Sequence, residues 1–362
     1  VDESQYWLGF SLVPLIGTRR FRRLLEAFGS AEAAWHATPE ALQRAGLDGA
    51  ALASLLKTRQ TLDLGAESER VRRAGAYLLT LDDPSYPPLL AVLPDAPTVL
   101  YVKGTIESAD RTAVAIVGTR RATTYGRDAA QFFARGLAQN GVTIVSGLAH
   151  GIDATAHRAA IEARGRTIAV LGCGIDKVYP RDHATLTEQI IRHGAVISEF
   201  PIGTAPDARN FPRRNRVISG ISMGVLVVEA PEKSGAIITT TCALDQGRDV
   251  YAVPGNIFNP ASAGTNRLIQ DGAKCVLTPE DVLSELDMAV SALTTRQTVE
   301  QAVPDNPLER QVLEALSNDP LHVDEIGQHT GLPIHVVTST LTILELKGLA
   351  RMIGHMQYCL TL

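Results

Sequence analysis

The 362-residue chain is 45% hydrophobic and 20% charged, with a formal net charge of −5. That is enough length and apolar content for two or three globular domains with real cores, and the acidic balance is not the basic footprint usual for a nucleic-acid binder. No basic flank and apolar run open the N-terminus, no apolar stretch approaches the roughly 20 residues that span a bilayer, and Cys173, Cys242, Cys275 and Cys359 form no C-x-x-C pair. The expectation is a soluble, cytoplasmic protein with no signal peptide, membrane span, disulfide framework or zinc ribbon.

Residues 1–75 read as wholly helical, with Leu8, Leu12, Leu15, Ile16, Leu24, Leu25 and Phe28 at helical spacing and Pro14, Gly17 and Gly29 as breaks. The stretch PLIGTRRFRRLLEAFG has the turn, glycine and basic helix of a helix-hairpin-helix element, whose backbone amides can bind a phosphate. A small packing module fits it equally well.

Residues 76–288 change character. AYLLTL and TVLYVKG read as strands, followed by TAVAIVG, VTIVSG, RTIAVLGCG, AVISE, GVLVVEA and DVYAVPG, which alternate with helical patterns over Gly126–Gln139, Ile152–Ala163, Arg213–Ser222 and Ile237–Gln246. Apolar strands alternating with helices of this length predict βαβ units and an extended Rossmann-like, doubly wound, mostly parallel sheet. Residues 289–305 read as a linker ending in Pro304 and Pro307. Residues 306–362 show three helical patterns and a two-strand hairpin, LARMIGHMQYCL, the arrangement of a winged helix. That unit carries three cations (Arg310, Lys347, Arg351) against six acids (Glu309, Glu314, Asp319, Asp324, Glu325, Glu345), and its third helix offers no Arg, Asn or Gln to read bases. A protein contact suits it better than a duplex contact.

Ligands of an open α/β sheet bind beyond the carboxyl ends of its strands, near a topological switch point. The loops predicted there are GTRRATTYGR, SGLAHGIDATAH, GCGIDKVYPRDH, FPIGTAPDARNFPRRNR and PEKSGAIITTT. They are rich in glycine, hydroxyls and cations and poor in acids. Such loops can present backbone amides and positive charge to an anion. The G-x-G-x-x-G fingerprint, the P-loop and the G-x-S-x-G elbow are all missing. His150, Asp153 and His157 have a spacing that could hold a metal, but the glycines around His150 favour a turn, with Asp153 capping a helix, and no metal or other cofactor is expected. Among Glu199, Glu229, Asp176 and Asp182 no catalytic pair stands out. The stretch RNFPRRNRVISG is unusual: Arg209, Arg213, Arg214 and Arg216 crowd the start of a helix, where the macrodipole is already positive and acids are preferred.

Together the motifs VGTRRATTYG, SGLAHGIDATAH, LGCGIDKVYP, SEFPIG, FPRRNRVISG, KSGAIITTTCALDQGRDVYAVPG and GTNRLIQDGA resemble the DNA-processing protein A family, also called Smf, in order over about residues 78–286. The resemblance implies a non-enzymatic, dimeric protein that binds single-stranded DNA and loads the RecA recombinase in natural transformation, with the winged unit open to a single-strand-binding or other competence protein. It implies that Gly118, Thr119 and Arg120 hold a phosphate, that Phe211 stacks on a base beside Arg214, Asn215 and Arg216, and that Asn266, Leu268, Ile269 and Gln270 form a dimer contact. Arg209 stands near the place of a family lysine, slightly displaced. On physical grounds Arg121, Arg213 and the loop Lys233, Ser234 and Gly235 join the positive track, and Tyr125 joins the platform, because single-strand binders pair a cationic groove with aromatic faces. Two alternatives are a nucleotide-processing enzyme of the phosphoribohydrolase kind, although KSGAIITTTCAL lacks the glutamate that such enzymes carry there, and a protein-interaction scaffold.

Overall fold

The computed structural model describes residues 3–286, 306–317, 320–346, 349–354 and 356–360. The chain divides into two compact units, 1–283 and 284–362. The linker expected at 289–305 lies outside the described residues.

The first unit opens with six helices: α1 (Glu3–Ser11), α2 (Thr18–Phe28), α3 (Ala31–His36), α4 (Pro39–Arg44), α5 (Gly49–Thr61) and α6 (Leu64–Arg73). Their ends follow from the residues placed there. Ser30, Thr38, Asp48 and Asp63 each accept a hydrogen bond from a first-turn N–H, and Gly29 closes α2 in the left-handed conformation. Trp7, Phe10, Phe21, Leu24, Trp35 and Leu55 form their core. Leu8 and Val71 instead join a cluster with Tyr101, Leu171 and Ile190 of the α/β part, so the helices are packed onto the sheet.

The sheet comprises β1 (Tyr77–Thr80), β2 (Val99–Gly104), β3 (Ala113–Val117), β4 (Thr143–Ser146), β5 (Thr167–Leu171), β6 (Gly194–Ser198), β7 (Gly224–Val227), β8 (Asp249–Ala252) and β9 (Lys274–Cys275). Its order is β1-β2-β6-β5-β4-β3-β7-β8-β9. Neighbours from β6 to β9 pair in parallel, and β1 and β2 add an antiparallel hairpin at one edge. The strands β3 to β7 are buried along their whole length, as expected of a sheet covered on both faces. Between the strands lie α7 (Pro88–Ala91), α8 (Thr124–Gln139), α9 (Ile152–Glu162), α10 (Ala184–His193), α11 (Asn210–Ile221), α12 (Gly235–Asp245) and α13 (Ala263–Gln270), and α14 spans 279–286. All eight strands read from the sequence are present. Helix α11 begins at Asn210, three residues before the apolar period suggested, because Pro212 is well accommodated in a first helical turn, where no N–H is needed.

The second unit holds α15 (Pro307–Glu314), α16 (Val323–Thr330) and α17 (Ile334–Leu346), with β10 (Leu321–His322), β11 (Ala350–Gly354) and β12 (Gln357–Leu360) in the order β10-β12-β11. It is a winged helix built on Val312, Ile326, Val337, Leu341 and Tyr358. The hairpin carries a third strand, β10, whose two residues are too few for a periodic signal.

Candidate nucleic-acid interface

From β3 the chain proceeds to β4, β5 and β6 on one side, then crosses back to β7 on the other. The carboxyl ends of β3 and β7 therefore bound a crevice of the kind where open α/β sheets take ligands. A cleft of about 370 Å³ opens there. Gly118, Thr119, Arg120 and Arg121 line it after β3, Phe211, Arg214 and Asn215 from α11, and Lys233, Ser234 and Gly235 at the start of α12.

The loop after β3 is braced from behind. Thr119 N–H donates to the Glu229 carbonyl at 2.7 Å, and Ile152 N–H donates to the Thr119 carbonyl at 3.3 Å. A Cβ on Gly118 would sit 2.7 Å from the Glu229 carbonyl oxygen, and one on Gly151, whose φ is +76°, would collide with the Thr119 carbonyl. The Glu229 side chain is fully buried and accepts from Thr123 N–H at 2.8 Å and from the Thr123 hydroxyl at 2.6 Å. Thr123 in turn caps α8 through Gly126 N–H. Glu229 thus fixes the loop and the helix behind it.

Phe211 is half-buried. The Arg120 guanidinium lies 5.2 Å from its ring centroid, within cation–π range, and the Tyr179 ring is 5.7 Å away and tilted by 32°. Arg120 and Phe211 therefore line the cleft together, and Tyr179 joins them in a smaller recess beside it. Tyr125 lies apart from this group. Its hydroxyl donates to the Pro254 carbonyl at 2.6 Å, and its ring does not line the cleft.

The four arginines at the start of α11 are not an uncompensated cluster. Arg209 is held by Asp207, with Nε at 3.0 Å and Nη2 at 2.9 Å, and this arginine and its backbone N–H push the Asp207 carboxyl down to about 2. Arg216 pairs with Glu199 and also reaches the Asp95 carbonyl at 2.8 Å. Burial pushes the Glu199 carboxyl upward, and Arg216 opposes that shift. Arg213 is exposed, with its guanidinium 5.5 Å from the Phe200 ring centroid. Arg214 is buried and works as an internal post: Nη1 donates to the carbonyls of Gly147, at 2.8 Å, and Val170, and Nε donates to Asn215 Oδ1 at 3.2 Å. Burial lowers the Arg214 guanidinium to about 10, and the neighbouring Asp153 carboxylate works against that. Asp153 is itself raised by burial, opposed by Arg214 and by the N–H groups of Ala149 and Gly147. The acids that neutralise the arginines come from the preceding turn, from the end of β6, from the loop before β2 and from the first turn of α9, which the segment alone does not reveal. Arg120, Arg121 and Lys233 are the exposed cations of the cleft itself.

His150, Asp153 and His157 do not converge. Asp153 serves Arg214, and His157 is buried with Nδ1 2.6 Å from the Thr167 hydroxyl, its pKa pushed down to about 3 by burial. His150 instead meets Asp182 and His183, whose ligand atoms lie within 4.8 Å of one another. Of the residues expected at a dimer contact, Asn266 is engaged on both sides with the Gly255 backbone, at 3.0 and 3.1 Å. Leu268 packs on the main core, Ile269 is half-buried and Gln270 is exposed. The loop that Asn266 braces displays Ile257 and Phe258, 79% and 87% exposed, which a strand-and-helix reading passes over. Tyr179 is likewise found only in the structure, since its loop joins Phe211 through the order of the strands.

Comparison with known proteins agrees with this architecture. The family model for DNA recombination-mediator protein A matches residues 77–287, the DprA-like N-terminal HHH domain matches 3–60, and the DprA winged helix domain matches 296–353. Protein Smf of Synechocystis is 35% identical over 99% of this chain and 98% of its own length. Among solved structures, DNA processing protein A of Streptococcus pneumoniae aligns with a TM-score of 0.69 at 34% identity, covering 79% of this chain and 98% of the other. DNA processing protein A of Helicobacter pylori, whose structure concerns a single-stranded DNA binding mode, aligns with a TM-score of 0.53 at 30% identity over 60% of this chain and 98% of the other.

Proposed function

Since the chain belongs to the DNA-processing protein A family, we propose that it binds single-stranded DNA without sequence preference in the crevice between β3 and β7, and that it loads the RecA recombinase on that strand during natural transformation. The observation that carries the DNA reading is Arg120 set over Phe211 in the cleft, with Tyr179 beside Phe211 in the adjoining recess. It offers a phosphate-sized charge next to stackable rings, the combination that single-strand binders use. The Lys233–Gly235 turn at the start of α12 adds donors for phosphate oxygens. The H. pylori relative's DNA-binding mode supports the same reading. Arg214 and Arg216 serve as positioning residues, since their guanidinium groups are taken up by protein acceptors. We read the activity as binding and not turnover, a reading supported by Glu229, which is buried against Thr123 instead of facing the cleft. Among the described residues no helix is long and apolar enough to cross a membrane, and we place the protein's work in the cytoplasm.

The self-association of this protein is assigned to α13 and its braced loop, where Ile257 and Phe258 supply the exposed apolar surface. The winged unit is assigned to a protein partner. Helix α17 carries no lysine or arginine, and Met352, Ile353 and Met356 are exposed on the wing. Fluorescence anisotropy with a labelled oligo-dT tests the DNA reading. Affinity should fall steeply with salt, because neutralised phosphates release counterions. Binding that is weak and indifferent to salt would reject it. RecA nucleation on strand precoated with single-strand-binding protein tests the loading step, which is rejected if added protein leaves the nucleation rate unchanged.

A further inference from the structure

The Thr119–Arg120 backbone has a second side. Across it lies a separate cleft of about 340 Å³, lined by Arg120, Arg121, Arg127 and Arg158 together with His150 and His183, and Asp182 is the single carboxylate among its lining residues. Asp182 is 3.7 Å from His150 Nε2 and pairs with none of the four arginines. Arg127 spends its hydrogen bonds on its own loop, the Ala122 carbonyl and the Thr124 hydroxyl, neither of which carries charge. Arg158 is exposed on α9, and no side-chain hydrogen bond or ion pair holds it among the described residues. This differs from the arginines of α11, three of which have a carboxylate nearby. Four like charges gathered around one concavity repel each other, and the arrangement becomes favourable when an anion enters. Arg120 belongs to both clefts.

We propose that this second cleft takes further phosphodiesters of the strand bound in the first, so that the polyanion turns around the Arg120–Arg121 loop. The inference rests on the reading of the first cleft as a single-strand site. Its ligand is the nucleic-acid backbone. The lining holds arginine and imidazole donors but no phenylalanine, tyrosine or tryptophan on which a base could stack, so it adds charge contacts without adding base contacts.

Length and salt together test it. Anisotropy is measured with a short oligo-dT that fills the first cleft and with a longer one, for the wild type and for Arg127→Gln/Arg158→Gln. Each single-strand phosphate neutralised contributes about −0.7 to the slope of log K against log salt. The wild type should show a steeper slope on the long strand than on the short one. The double variant should lose about 1.4 of the long-strand slope and keep its short-strand binding. Arg158→Gln alone, which breaks no bond within the protein, should lose about 0.7 and guards against a folding defect. If the long-strand slope is unchanged in both variants while Phe211→Ala still weakens binding, the second cleft is wrong and the first stands. Equal loss on both strands also overturns the second cleft as a distinct site. If the wild type binds neither strand, the reading of the first cleft fails.

Discussion

Arg214 lies in the most basic segment of the chain, yet its geometry makes it a post of the fold. Arg214→Met removes the donor to the Gly147 and Val170 carbonyls and the cation beside Asp153 while roughly keeping the volume of the side chain. Leaving one member of a buried charged pair behind costs about 3–5 kcal/mol, and the two orphaned carbonyls lie within that figure if water reaches one of them. For a unit of this size the thermal midpoint should fall by roughly 6–20 °C. The deficit should also depend on pH. Burial already holds the Asp153 carboxyl above its ordinary value, and loss of the guanidinium raises it further. A carboxyl raised on folding contributes stability that is present below its unfolded pKa and lost as pH rises through the folded one. The gap between variant and wild type should therefore widen from about pH 4 to pH 8. Thermal unfolding followed by circular dichroism at several pH values measures both effects. A midpoint within a degree or two of wild type, with oligonucleotide binding abolished, would refute the argument and return Arg214 to the ligand.

Arg120→Ala should do the reverse, with no change in thermal midpoint and weaker binding of every sequence, checked by anisotropy on dT, dC and mixed strands. Phe211→Ala should cost one stacking contact, about 1–3 kcal/mol or roughly 5- to 150-fold in Kd, with little change in salt slope. Glu229→Ala should lower stability by about 2–3 kcal/mol by orphaning the Thr123 N–H and hydroxyl, read as a shift in the urea midpoint. No free base should be released from nucleoside monophosphates by either wild type or Glu229→Gln. Ile257→Ser/Phe258→Ser should shift sedimentation toward monomer and leave the thermal midpoint of the unit unchanged.

Eight of the nine strands of the large sheet were legible because each lies in a mostly apolar run between turn signals, and periodicity detects such runs. The two-residue strands β9 and β10 and the one-turn helix α7 are too short for any period, so only tertiary pairing defines them. The cleft was legible in part. Glycines and cations after successive strands must gather at one edge of a parallel sheet, which brings Gly118–Arg121, Phe211 and Lys233–Gly235 together. The fate of each arginine was not legible. Whether a guanidinium faces a ligand or a buried carbonyl depends on residues such as Gly147, Val170, Glu199 and Asp95, which are distant in sequence and become neighbours only through strand order.

The bracing of the Thr119–Arg120 loop also has a mechanical side. Its backbone is tied to Glu229 beyond β7 on one side and to Ile152 at the start of α9 on the other, and Gly151 leaves no slack between them. A strand wrapped on that loop would behave like a rope on a bollard. A pull along it is passed directly into the sheet and a helix, with little taken up by loop bending, so grip would be released by peeling phosphates off one at a time.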